Sequence, residues 1–235
     1  MKRIGNRLVR ALSRHDGNDD AIHFLHIGKA AGTQIKTLAE QVPGKIIVHG
    51  HDKSLRDLPL SARYFFSIRD PVSRFYSGFY SRKRKGQPTY NIEWNACEAA
   101  AFRDFEHAND LAEALFETGK TAASATQAII SIRHTGQNLT SWFLQQGNIL
   151  EVRPPVWIIR QENFAQDFKA FLRQAGLEDA GVVPVGKRHA NDYADDPPLS
   201  PKAIANLERW YAQDYAFHAV CEEWLREQTV KSDTG

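Results

Sequence analysis

Phe24-Leu25-His26-Ile27-Gly28-Lys29-Ala30-Ala31-Gly32-Thr33 is the stretch on which the reading of this chain turns. An apolar run over 22–27 stops at a short loop holding Gly28, Lys29 and Gly32, and a helix-like segment over 34–41 follows at once. A buried strand that feeds a Gly-containing turn and then a helix N-terminus is an anion site. Its exposed N–H groups and the positive end of the helix dipole point at the same place. Lys29 adds a point charge and Thr33 a hydroxyl, so the expected ligand is a phosphate or a group like it. The loop departs from the nucleotide-triphosphatase pattern, in which Lys follows the second Gly of G-x-x-x-x-G-K-[ST]. Here Lys29 comes three residues before Gly32.

A second segment bears on what carries that anion. Another short apolar strand, 64–68, runs into Arg69-Asp70-Pro71-Val72-Ser73-Arg74-Phe75-Tyr76-Ser77-Gly78-Phe79-Tyr80. Asp70 is suited to cap a helix and Pro71 to open it. In such a helix Arg74, Ser77 and Gly78 share one face, and Arg69 reaches the same point from the strand end.

Together the two segments resemble the nucleotide-binding signatures of sulfotransferases, nearest the carbohydrate group that includes the heparan sulfate 2-O-sulfotransferases and their bacterial relatives. The family's first signature, H-I-P-K-x-x-G-T, is matched by His26, Ile27, Lys29, Gly32 and Thr33, with Gly28 where the family usually has Pro. That departure is read as loosening the loop without removing a ligand group. The second signature is matched by Arg69, Pro71, Arg74, Ser77 and Tyr80.

The resemblance implies a single P-loop-like α/β domain that takes 3′-phosphoadenosine 5′-phosphosulfate (PAPS) as donor, and no metal is expected because the sequence has no clustered acidic residues of the kind that hold magnesium. By position it gives the 5′-phosphosulfate to Gly28, Lys29, Ala30, Ala31, Gly32, Thr33 and Gln34, with Lys29 on the bridging and sulfuryl oxygens. Arg69 and Ser77 would hold the 3′-phosphate. Lys187 and Arg188, in a late basic loop, would be secondary contacts to it, with ordinary exposed charge as the alternative. Arg74 is read as an ion-paired or solvated helix residue.

Between the two motifs lies Val48-His49-Gly50-His51-Asp52, just past a second strand read over 45–48. In open parallel sheets, ligands bind at the carboxyl ends of the strands. Transfer to a hydroxyl needs a base, and neutral imidazole suits that task near pH 7. The family uses a His from an H-x-H or G-H element in this interval. His51 is therefore the base candidate and His49 the runner-up, while His26 is read as fixing the loop.

The rest of the sequence supplies architecture. With a fourth strand over 155–160, the strands alternate with helices in a βαβ rhythm that implies a central parallel sheet. Helices are expected over 98–116, 122–133 and 164–174, and from Ser200-Pro201 onward in a helical C-terminal part. There Ile204, Leu207, Tyr211, Tyr215 and Phe217 are expected to pack on the sheet. Arg160, at the end of the fourth strand, either lines the cleft or pairs with a nearby acid. The run Arg82-Lys83-Arg84-Lys85 is read as a solvated helix end, with a grip on an acidic glycan as the alternative.

A chain of 235 residues with 42 % hydrophobic content can bury one full core, and no repeat or linker divides it. Residues 1–20 are expected to form a flexible basic segment and 21–230 the sulfotransferase domain. The net charge of +2 gives no electrostatic case for nucleic acid. Cys97 and Cys221, far apart, point to a reducing, cytoplasmic setting without disulfides or a zinc site. The N-terminal segment lacks the apolar core of a signal peptide. Its Ile4, Leu8, Val9 and Leu12 amid arginines allow at most peripheral contact with the inner face of a membrane.

The expectation is a sulfotransferase that moves a sulfuryl group to a hydroxyl of a carbohydrate, glycolipid or other glycoconjugate. A P-loop-type small-molecule kinase and a non-catalytic nucleotide- or glycan-binding module are the alternatives. The kinase reading is weakened by the position of Lys29 and by the lack of a strand-end Asp for magnesium.

Overall fold

The computed structural model describes residues 20–143, 149–182 and 196–233. The basic N-terminal stripe read in the sequence therefore lies outside the described residues. Four strands, β1 (Ile22–Leu25), β2 (Ile46–Val48), β3 (Tyr64–Ile68) and β4 (Ile158–Arg160), form one parallel sheet in the order β2-β1-β3-β4. Its register pairs Phe24 with Val48 and with Phe65, and Ser67 with Ile159.

The helices are α1 (Gly32–Ala39), α2 (Pro71–Lys83), α3 (Ala96–Asp104), α4 (Ala108–Ala114), α5 (Gly119–Ser131), α6 (Thr140–Phe143), α7 (Ile149–Val152), α8 (Phe164–Ala175), α9 (Pro201–Trp210) and α10 (Ala212–Asp233). All five residues of β3 are buried, as expected for a parallel strand covered on both faces. Phe65 stacks on Phe171 of α8 at 4.1 Å, while Phe66 meets Phe143 of α6 at 4.5 Å and Phe217 of α10 at 6.3 Å. Each such ring contributes about 1.5–3 kcal/mol relative to exposure.

A second core lies among the helices and joins Phe75 and Phe79 of α2 to Phe102, Leu111, Ile129, Leu207 and Tyr211. Here the structure corrects the sequence reading. Leu207 and Tyr211 pack in this helical layer and not on the sheet, Ile204 is exposed, and Phe217 alone of that set joins the sheet's core.

The expected helix over 98–116 is two helices. The chain leaves α3 at the buried Phe105 and restarts with the Asp110 carboxylate accepting from the His107 N–H. The first strand ends two residues early because His26 and Ile27 leave the ladder to build the loop, with the Ile27 N–H bonded to the Leu25 carbonyl. Among the described residues no helix is long and apolar enough to cross a membrane.

Candidate active site

The order β2-β1-β3-β4 sends the chain to one side after β1 and to the other side through β3. The sheet's switch point therefore lies at the carboxyl ends of β1 and β3, where open parallel sheets form their ligand crevice. The loop of residues 28–31 leaves β1 there, and Arg69 and Asp70 leave β3 beside it.

The loop's backbone changes hand at successive residues. Lys29 has φ +66° and Ala31 φ +62°, although neither is glycine, and Ala30 between them is not left-handed. Each left-handed non-Gly residue costs about 1–2 kcal/mol, so this conformation must be held by its surroundings. Such alternation turns consecutive N–H groups toward one point. Helix α1 begins at Gly32, two residues earlier than the sequence indicated, and no side chain caps it.

The clamp comes from β3. The buried Ser67 hydroxyl donates to the Ala30 carbonyl, and Arg69 Nη1 donates to the Lys29 carbonyl at 3.4 Å. Arg69 Nε also bonds Ser73 Oγ at 2.8 Å, in the first turn of α2. Helix α2 starts as its sequence predicts, with Asp70 accepting from the Ser73 N–H at 2.7 Å and Pro71 at the first position. Ser77 lies on the buried side of α2. Among the described residues no carboxylate pairs with the Lys29 ammonium. Burial, then Arg69 and Arg84, lowers its pKa to about 8.

Two imidazoles close the β2 side. His51 Nδ1 lies 2.9 Å from the carbonyl oxygen of His26. A carbonyl only accepts, so Nδ1 carries the proton and Nε2 is left with its lone pair. Trp142 Nε1 holds the His51 carbonyl at 3.2 Å, fixing this strand end from the core. Burial is the main cause that lowers the His51 pKa, with Arg133 and Lys29 adding to it against the His26 hydrogen bond.

His26 packs against His51 at 4.0 Å, and burial, then His51, lowers its pKa to about 4. Its Nε2 stands 1.7 Å from where a Cβ on Gly32 would be, so Gly32 is required by the close approach of this ring. His26 does pack onto the loop, as the sequence suggested. His49 turns away to the other face of β1, where its Nε2 meets His23 Nδ1 at 2.8 Å. Of the two side chains only that of His51 stands beside His26 and the loop, while the His49 backbone hydrogen-bonds the His26 ring.

Other candidates sort themselves by partner. Arg74 is buried in an ion pair with Asp214 at 3.1 Å, as its structural reading required. Arg160 pairs with Asp167 at 2.8 Å and with Glu222 at 3.0 Å. The run 82–85 is no uniform solvated face: Arg82 is buried against Glu98 at 2.7 Å, Lys85 pairs with Glu93 at 2.6 Å, and Arg84 lies 4.0 Å from Asp196. Lys187 and Arg188 lie outside the described residues. Among the described residues, no group of three or more His, Cys, Asp or Glu side chains is arranged to hold a metal ion.

One residue at this edge escaped the sequence reading. His134, beyond α5, is buried and meets His51 edge-on at 5.5 Å. Its Nδ1 lies 2.8 Å from the position a Cβ on Gly28 would take. Gly28 thus leaves the gap that seats this imidazole.

No protein-family model matches the chain, and no curated protein or solved structure matches it either.

Proposed function

We propose that this chain is a sulfotransferase of P-loop-like architecture, moving a sulfuryl group from PAPS to a hydroxyl of a carbohydrate or glycoconjugate. The observation that carries the reading is the juxtaposition of His51, its Nε2 lone pair left free by the Nδ1 bond to His26, with the Lys29 loop at the switch point. A loop that presents N–H groups and an ammonium with no carboxylate partner among the described residues suits a dense anion. A neutral imidazole beside it suits abstraction of a proton from a hydroxyl.

In the reaction, His51 Nε2 takes the acceptor's proton as the acceptor oxygen bonds to sulfur. The bond between sulfur and the 5′-phosphate oxygen breaks, and its electron pair stays on that oxygen. Lys29 and the loop N–H groups offset the charge that builds there, and this differential stabilisation lowers the barrier. Arg69 and Ser77 hold the 3′-phosphate end of the donor. Arg69 also bonds the loop carbonyl of Lys29, so the two halves of the nucleotide site share a support.

The direct test is incubation with sulfur-labelled donor and a panel of glycans and glycolipids. Label should pass to an acceptor. His51→Ala should lower turnover by about two to four orders of magnitude, the range for loss of a general base, with donor affinity nearly unchanged. Transfer at wild-type rate by that variant would remove His51 from the chemistry.

A further inference from the structure

His134 is the most buried imidazole at this end of the sheet, and the mechanism above does not use it. The Nδ1–Cε1 edge of its ring lies over Gly28, 2.8 and 3.5 Å from the Cβ position, which turns Nε2 away from the loop backbone. The ring meets His51 edge-on. Its backbone oxygen receives Arg74 Nη1 at 3.5 Å, but among the described residues nothing hydrogen-bonds the ring nitrogens. A neutral imidazole always carries one N–H and one lone pair, so the ring has a donor to offer at this edge.

The residue is also held against its own preference. His134 has φ +77°, a left-handed conformation that costs a non-Gly residue about 1–2 kcal/mol. Four ties fix the segment. Arg74 Nη2 donates to the Gln137 carbonyl, and Glu98 Oε1 accepts from the Arg133 N–H at 3.1 Å. The Tyr211 hydroxyl donates to the Thr135 carbonyl at 2.7 Å, and Thr135 Oγ1 donates to the Ile129 carbonyl at 2.6 Å. Strain that the surroundings enforce around a side chain with no hydrogen-bond partner among the described residues is of the kind found at ligand sites.

We infer that His134 is a further substrate-contacting residue of this site, a hydrogen-bond donor that holds an oxygen of the sulfuryl group through Nε2–H, between Lys29 and His51. The inference rests on the sulfotransferase reading. His134 makes and breaks no covalent bond and keeps its proton throughout. Burial, then Lys29, His51, Arg133 and Arg74, pushes its pKa down to about 3, so it stays neutral and carries a single ring proton at working pH.

The test compares the binding of PAPS with that of adenosine 3′,5′-bisphosphate, which lacks the sulfuryl group, by calorimetry on wild type, His134→Gly and His134→Gln. Glycine accepts the left-handed backbone, and glutamine carries an N–H to about the position of Nε2. His134→Gly should weaken PAPS about tenfold more than the bisphosphate, the scale of one hydrogen bond to a charged group. Glutamine should restore most of that ratio. Parallel weakening of both nucleotides, or none of either, would make His134 a packing residue and overturn the inference while the proposed function stands. Wild-type protein that binds neither nucleotide would bring down both.

Discussion

Burial pushes His51 and Lys29 in the same direction, toward their neutral forms, and under the proposed function the two would limit activity from opposite sides. A base must be neutral, and the lowered His51 pKa keeps it neutral to below its ordinary 6.5. An electrostatic stabiliser must be charged, and Lys29 loses its proton around pH 8. The pH profile of kcat/KM for the donor should therefore rise through a pKa below 6.5 and fall through one near 8. In kcat the alkaline limb should move upward, because bound phosphate favours the charged lysine. Lys29→Arg should erase that limb in whatever activity it keeps, since arginine stays protonated. A wild-type profile flat from about pH 7 to about pH 9 would take Lys29 out of the role assigned to it. His26 and His134, at about 4 and about 3, add no limb in this window. The placement of Lys29, His51 and Arg69 at one edge of the sheet was legible because each closely follows a strand. His134 was not, because only the tertiary fold brings the segment after α5 onto Gly28.

Between elements, the loop after β1 depends on a side chain two positions before Arg69. Ser67 lies inside β3, whose pairing with β1 and β4 places its hydroxyl under the Ala30 carbonyl. Ser67→Ala leaves that buried carbonyl without its partner, which should cost about 1–3 kcal/mol of stability. Because the loop's left-handed residues need that clamp, donor affinity should fall as well, without a change in the pH profile. Melting curves and calorimetry check this, and wild-type affinity in the Ser67→Ala variant would show that the loop holds its shape unaided. The element starts were readable where the chemistry is local: Asp70-Pro71 opens α2, and Ser200, accepting from the Ala203 N–H, opens α9. The break between α3 and α4 was not, because an Ala-rich run without Pro has no local stop signal. What ends α3 is the burial of Phe105 in the helical core.

Across the whole molecule, α2 belongs to the helical core and is tied by an ion pair to α10, which also reaches the sheet's core. One face of α2 sends Phe75 and Phe79 into the helical layer. Arg74 bonds Asp214 of α10 and, with it, the segment that carries His134, since Asp214 also accepts from the Leu139 N–H at 2.8 Å. The sheet's order then sets the switch point, and the α/β class with a central parallel sheet follows from the βαβ rhythm of the sequence. Which helices cover the sheet and which form the second core did not, because aromatic residues at helical spacing fit either surface. The proposed function requires the switch point to take a nucleotide through a 5′-anion at the Lys29 loop and a 3′-phosphate at Arg69. Calorimetric titration with adenosine 3′,5′-bisphosphate, set against ATP with magnesium, probes that requirement without any need to know the acceptor. The bisphosphate should bind clearly and Arg69→Ala should largely remove that binding, with ATP much weaker because it has no 3′-phosphate. Equal affinity for ATP and magnesium, or bisphosphate binding untouched by Arg69→Ala, would contradict the proposed function.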